Sequence, residues 1–386
     1  MSSTIKLVED KTKIYLFRGR HPIYEALVRA PPEGVDYVPK AASLGREEYT
    51  LYNPFKSQTR AIVNSAFRVF NVPRVIPVLR RYDLVHSCRG FVVVGKNNFV
   101  VDFEHVSSFV GMQHYRLESE VLRKRLDHML CSPNCARLLP HSRAALQSLL
   151  TLPSKRVLEN KSTVVYPVAI APDHVPERIA KKDPPRILFY GEYYWKGGRE
   201  VIEACERLSR RLDFTLTYIS NRVHPPRDVI ARAEKTFNLE YIEGPIPREK
   251  LFQEVYPNSD IFVMPSYLDT LGFGFMEAMA HGIPCVGARI FAVPEIIEHG
   301  TTGMLVDPPV QFYDGTGMGH PEIDIKLART GKTVEALSVA IDELISSARL
   351  RSTMGTEGRR TVTDGRLSVR ARNVLLRQVY EESIRH

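Results

Sequence analysis

Short apolar runs of strand length alternate with segments of helical period along almost the whole chain, and the alternation starts twice. "KIYLF" (13–17) and "DLVHS" (83–87) read as buried strands, "GFVVVGK" (90–96) and "NFVVDF" (98–103) as strands or helix edges, "SRAALQSLL" (142–150) as a helix and "STVVYPV" (162–168) as a strand. The proline-rich, charged run "AIAPDHVPERIAKKDPP" (169–185) then interrupts the pattern. The rhythm resumes with strand "RILFYG" (186–191) and helix "REVIEACERLSRRL" (199–212). "DFTLTYIS", "LEYIEG", "DIFVMPS" and "IPCVGA" are further strands with helical patterns between them, and Lys332–Leu350 and Ser368–Ile384 read as helices. Strands joined through helices pair in parallel, and parallel sheets need both faces covered. The pattern therefore predicts an α/β chain of two Rossmann-like, doubly wound domains facing each other across a cleft. Their expected bounds are 1–170 and 186–365, with a linker at 171–185.

With 386 residues the chain is too long for one ordinary core. Apolar residues at 44% and aromatics at 9% fit a folded protein. No apolar run approaches the roughly 18 residues of a membrane span. The start, "MSSTIKLVEDKTKIYLF", has acids ahead of its apolar run and lacks the pattern of a signal peptide, so a cytoplasmic protein is expected. Five scattered cysteines, with only Cys131 and Cys135 close together, suit reduced thiols and not a zinc site. The net charge of +9 is uneven: residues 1–170 carry 25 Lys/Arg against 14 Asp/Glu, while the remainder is slightly acidic. No acid occurs between Asn53 and Arg81, a span holding Lys56, Arg60, Arg68, Arg74 and Arg80. Such an excess points to an anionic partner for the first half.

Three motifs carry chemistry. In "DTLGFGFMEAMAHGIPC" (269–285), Gly272 and Gly274 allow close backbone approach at the mouth of an apolar helix, where anions are favoured. Glu277, one or two turns in, is placed to accept hydrogen bonds from vicinal hydroxyls, and Asp269 on the loop to hold others. The same acids also fit a helix with a carboxylate near its start for dipole reasons. In "YGEYYWKGG" (190–198), Lys196 beside two glycines after a strand suits a phosphate grip, and equally a solvated turn. In "VDFEHVSSF" (101–109), His105 follows a strand and is suited either to meet a substrate oxygen or to serve the fold. No HExxH, P-loop, GxGxxG or Asp-x-Asp appears, so no metal or cofactor is expected.

Taken together, these pieces resemble the retaining glycosyltransferases of family 4, of the two-domain GT-B architecture. The family signature is an acid, seven residues, then Glu-Ala-x-Ala-x-Gly-x-Pro, and here it stands as Asp269 followed by Glu277-Ala278-Met279-Ala280-His281-Gly282-Ile283-Pro284. "YPNSDIFVMPS" (256–266), "VPEIIEHGTTGMLVDP" (293–308), "YDLVHS" (82–87) and "RSTMGTEGRR" (351–360) resemble other family segments in the right order. The resemblance implies a hexosyltransferase that uses a nucleotide-diphosphate sugar. Glu277 would bind the ribose, Asp269 the transferred sugar, and the backbone of Gly272, Phe273 and Gly274 the sugar and diphosphate. Lys196 would neutralise the departing diphosphate, and His105 would reach the sugar from the first domain. Residues 366–386 would form a closing helix on that first domain.

Three departures stand out. Asp269 replaces the commoner Glu. Glu192 follows Gly191 where the family usually has Arg, which leaves Arg199, Arg222 and Arg289 as substitute cations. The glycine pair after the first strand shrinks to "FRGRHP" (17–22), with Gly19 near the donor and Arg18 and Arg20 as added charge. In this architecture the first domain holds the acceptor, so its positive balance implies an anionic or membrane-presented acceptor. The amphipathic Ser57–Phe70 helix is suited to rest on anionic lipid or to pack on its own sheet. Nucleic acid is not expected as a partner, because no aromatic-rich basic platform accompanies the charge. The rival readings are a non-catalytic nucleotide-sugar binder, for which Glu192 speaks, and an epimerase or phosphorylase on the same architecture.

Overall fold

The computed structural model of the chain describes residues 11–17, 22–38, 65, 67, 69–172, 184–314, 319 and 324–385. The chain forms two compact units, one of residues 1–167 with 369–386 and the other of residues 168–368.

The first unit is built on a five-stranded sheet. Its strands are β1 (Thr12–Phe17), β2 (Val35–Val38), β4 (Leu84–Ser87), β6 (Phe99–Phe103) and β7 (Cys135–Pro140), in the order β2-β1-β4-β6-β7 and all parallel. β4 and β6 are buried at every position, as a central parallel strand covered on both faces must be. Two further strands, β3 (Val75–Val78) and β5 (Val92–Gly95), leave this sheet and pair with each other. The apolar run 90–96 thus forms a separate two-stranded ribbon, its Val94 46% exposed. Residues 162–168, expected as a strand, form none. They run beside β7 with a single bridge from Ser162 to Leu138 and a hydrogen bond from Val165 N to the Pro140 carbonyl.

The last helix, Val369–Arg385, belongs to this unit and is fastened by polar contacts. The Tyr380 hydroxyl lies 2.6 Å from His86 Nδ1 and 2.9 Å from the Tyr37 hydroxyl. Arg372 donates to the Ala30 carbonyl, and Arg137 pairs with Glu382 at 2.9 Å. Behind Tyr380, the buried Asp102 carboxylate takes Tyr24 OH at 3.1 Å and the Arg89 N–H at 2.8 Å, with His86 Nε2 at 3.2 Å and His141 Nε2 at 3.4 Å. Burial alone would raise the Asp102 pKa, but the two imidazoles hold it far below the usual carboxylate range.

The second unit holds a six-stranded parallel sheet. Its strands are β8 (Arg186–Gly191), β9 (Thr215–Ser220), β10 (Asn238–Glu243), β11 (Ile261–Met264), β12 (Cys285–Ala288) and β13 (Gly303–Val306), in the order β10-β9-β8-β11-β12-β13. Ile187, Phe189, Leu216, Ile261, Val263 and Val286 from these strands pack against Val201, Cys205 and Leu208 of the helix Gly198–Leu208 and Val334, Leu337, Ile341 and Leu344 of the helix Gly331–Ser346. Strand order reverses between β8 and β11. In an open α/β sheet, ligands bind outside the carboxyl ends of the strands at that reversal.

The Ser57–Phe70 helix lies for the most part outside the described residues, as do Arg18, Gly19, Arg20 and most of the expected linker. The five cysteines form no disulfide, and four of them are buried. Among the described residues no helix is long and apolar enough to cross a membrane.

Candidate active site

The two loops that leave β8 and β11 at the strand reversal are pressed together. Gly197 has φ +75°, and a Cβ there would lie 2.4 Å from the Pro265 carbonyl oxygen; a Cβ at Gly198 would lie 2.0 Å from the Tyr218 hydroxyl. Both glycines are therefore required by packing, which places the neighbouring Lys196 against the opposite loop. Lys196 Nζ donates to Asp269 Oδ2 at 2.7 Å and to the Leu268 carbonyl at 3.0 Å. The sequence motifs at 190–198 and 269–285 thus meet in one place.

Asp269 also shapes its own loop. Its Oδ1 accepts the N–H of Leu271 at 3.1 Å and of Gly272 at 2.6 Å. Burial would raise its pKa, but Lys196 and the two backbone donors hold it below the ordinary value. The turn passes through Gly272, at φ +80°, where a Cβ would lie 2.6 Å from the Phe275 ring. The helix Phe273–Ala280 starts there, with Phe273 and Gly274 half-buried and everything from Phe275 to Ala280 buried.

Glu277, in the second turn of this helix, is only 6% exposed. Arg248 donates to its Oε1 through Nε at 3.0 Å and Nη2 at 2.8 Å, and Tyr256 OH donates to Oε2 at 3.3 Å. The Arg248 guanidinium lies over Phe252, 4.3 Å from the ring centroid. Tyr190, at the end of β8, is close enough to feel this charge: burial first and the Glu277 carboxylate second raise its pKa. Arg248 was not marked by the sequence motifs, and Tyr256 only opens the family-like run 256–266, with no role attached to it. They reach Glu277 from the segment after β10, 29 and 21 residues away, and only folding supplies that proximity.

The other expected cations are differently placed. Arg199 donates to the buried Glu200 at 2.8 Å and to the carbonyl of Lys326 at 3.0 Å, so its donors secure the segment 325–328. Arg222 stands 4.0 Å from Glu192 and is largely exposed, and this pairing offsets the acid that follows Gly191. Arg289 lies 3.5 Å from Asp307, just beyond the ends of β12 and β13. His105, in the first unit, is fully buried. Its Nδ1 accepts the Ser107 N–H at 3.0 Å and caps the short helix Val106–Val110, with the His114 ring 4.7 Å away. Among the described residues, His86, Cys88 and Asp102 are spaced to hold a metal. Both His86 nitrogens, however, already face Tyr380 and Asp102, so the group reads as a hydrogen-bonded network of the fold.

Two parallel α/β units, with a lysine–carboxylate pair and a buried glutamate gathered at the strand reversal of the second, match the GT-B fold. The chain matches the family model of the group 1 glycosyl transferases over residues 184–316. Its relatives include an uncharacterized 41.2 kDa protein in the cps region of Klebsiella pneumoniae, 29% identical over 69% of this chain and 76% of that protein. N-acetyl-alpha-D-glucosaminyl L-malate synthase of Bacillus anthracis is 28% identical over 33% of this chain, and the match spans about a third of that enzyme. Among solved structures, a glycosyltransferase from Rickettsia africae superposes with TM-score 0.61 at 15% identity, covering 98% of this chain and all of that one. Anabaena HepE in complex with UDP and glucose does so with TM-score 0.57 at 11% identity, over 96% of this chain and 99% of that one. At these identities the structures establish the fold.

Proposed function

We propose that the chain is a retaining, metal-independent transferase of family 4 that moves a hexose from a nucleotide-diphosphate sugar to an acceptor held by the basic first unit. The observation that carries this reading is the Lys196–Asp269 contact beside the start of the helix 273–280, with Glu277 one turn further in. A departing diphosphate gains charge as the glycosidic bond breaks. A lysine held 2.7 Å from Asp269, within reach of the site, and backbone donors already in place lower that barrier. In this reading Lys196 turns from Asp269 toward the diphosphate, Asp269 receives the sugar hydroxyls, and Gly272, Phe273 and Gly274 offer backbone. Glu277 receives the ribose. His105, fully buried and capping the helix Val106–Val110, is not assigned to the sugar in this reading. The UDP bound by the Anabaena neighbour supports a nucleotide donor. An anionic or membrane-presented acceptor is the partner that fits the charge of residues 1–170, and a cytoplasmic setting at a membrane surface accords with it.

The test is a thermal-shift and hydrolysis panel of UDP-, GDP- and ADP-sugars with EDTA present. Stabilisation by one nucleotide class together with slow sugar release is the expected result. No shift with any donor at millimolar concentration would sink the reading. Stabilisation that never leads to sugar release or transfer, even with anionic lipid extracts as acceptor source, would favour the non-catalytic binder.

A further inference from the structure

The pairing of Glu277 bears on how a donor enters. A carboxylate offers about four lone-pair positions. Arg248 places two N–H groups on Oε1 and Tyr256 one hydroxyl on Oε2, so three are taken. Two vicinal hydroxyls need two acceptor positions, and the existing pairing leaves too few. Of the three groups, Tyr256 is fully buried, stacked on His281 and edge-on to Phe262, and has nowhere to go. Arg248 differs: its side chain is 33% exposed, it starts the short helix Arg248–Lys250 directly after Pro247, and its cation rests on the face of Phe252. It is the partner able to leave.

Resting on the donor-site reading above, we propose that Arg248 is an internal counter-ion of the ribose carboxylate, holding Glu277 oriented until a nucleotide arrives and then exchanging with the ribose hydroxyls. An empty site that left a 6% exposed carboxylate bare would carry a heavy desolvation penalty, or Glu277 would take up a proton and lose its strength as an acceptor. Arg248 removes that penalty while the site waits. It also imposes a threshold: a ligand must offer enough hydroxyls to replace a charge-assisted contact. Arg248 is thereby a specificity-determining residue for ligands with an intact ribose diol.

The sign of one coupling tests this. Dissociation constants are measured for the tightest-binding of UDP, GDP and ADP and for its 2′-deoxy counterpart, on the full chain and on Arg248→Met, which keeps the apolar contact with Phe252. Exchange predicts that the 2′-hydroxyl is worth more once its competitor is gone, so the deoxy penalty grows by about threefold or more in the variant. A penalty that shrinks would mean that Arg248 stays in place and merely aims Glu277, and would overturn the proposal; so would an unchanged penalty. Arg248→Lys, which keeps the cation without the two-pronged contact, is the second variant should Arg248→Met unfold, and its penalty is expected between the other two. Glu277→Gln separates the two claims: if nucleotide binds it as tightly as the wild-type chain, Glu277 is not the ribose acceptor and the donor-site reading fails, whatever Arg248 does.

Discussion

The ends of the two sheets treat their charged groups differently. In the first unit, Asp102, His86 and His141 are all buried, and the carboxylate has four partners within 3.4 Å. In the second, the two acids at the strand reversal are each matched by a cation more exposed than they are: Lys196 is 27% exposed against 13% for Asp269, and Arg248 33% against 8% for Glu277. A network whose acid and both imidazoles are buried serves the fold. A pair with one mobile, hydrated member can trade it for a ligand. Burial of the partner, more than the presence of charge, separates the fastening from the site.

Substitutions at either end would sharpen or break that contrast. Asp102→Ala leaves two imidazoles and a tyrosine without their acceptor, and a loss of about 3–5 kcal/mol is expected in denaturant unfolding of the first unit. Nucleotide binding by the second unit should survive wherever the protein remains folded, and loss of both in parallel would contradict the separation. Because the Asp102 pKa is depressed in the fold, its contribution is fully present above the ordinary carboxylate value near 4 and fades as pH falls through the lower native value. Acid unfolding followed by circular dichroism should show Asp102→Ala losing that pH dependence.

Lys196→Ala should behave in the opposite way. Turnover is expected to fall by about 10²–10³, with thermal stability changed little, since the lysine is partly solvated. A large drop in melting temperature with turnover per folded molecule retained would make Lys196 a structural group. Gly197→Ala tests the loop contact beneath it. At φ +75° and 2.4 Å from a carbonyl oxygen, the added methyl should cost about 1–3 kcal/mol and displace Lys196, so both stability and activity fall. The smallest effect is expected at Arg222→Ala, an exposed residue whose partner stands 4.0 Å away: within about 0.5 kcal/mol in stability. A marked loss of donor affinity in that variant would instead assign Arg222 to the diphosphate.

Much of this was legible in the sequence, for identifiable reasons. Lys196, Asp269 and Glu277 lie in short motifs whose glycines and spacing report local geometry, and β1, β4, β8, β9 and β11 are apolar runs bounded by turn residues. The role of the glycines was less legible: Gly197 and Gly198 suggested backbone open to phosphate, while their nearest neighbours are Pro265 and Tyr218. Residues 90–96 are apolar enough for the main sheet, and nothing local says that β5 pairs with β3 instead. The edge strand β13 and strand β7 lacked distinct signals. Arg248 was invisible because an arginine after a proline looks like any solvated loop residue until the fold sets Glu277 beside it.

The last helix has a consequence for how the protein is made. Because residues 369–385 complete the first unit while residues 168–368 form the second, the order of synthesis and the order of completion differ. On the ribosome, the sheet begun first waits for residues 369–385 before Tyr380 can reach His86, and the unit begun second is whole before then. Until residues 369–385 have emerged, the nascent amino-terminal sheet exposes the surface that this helix will cover, and a premature stop shortly after residue 368 would leave the second unit attached to an unfinished partner.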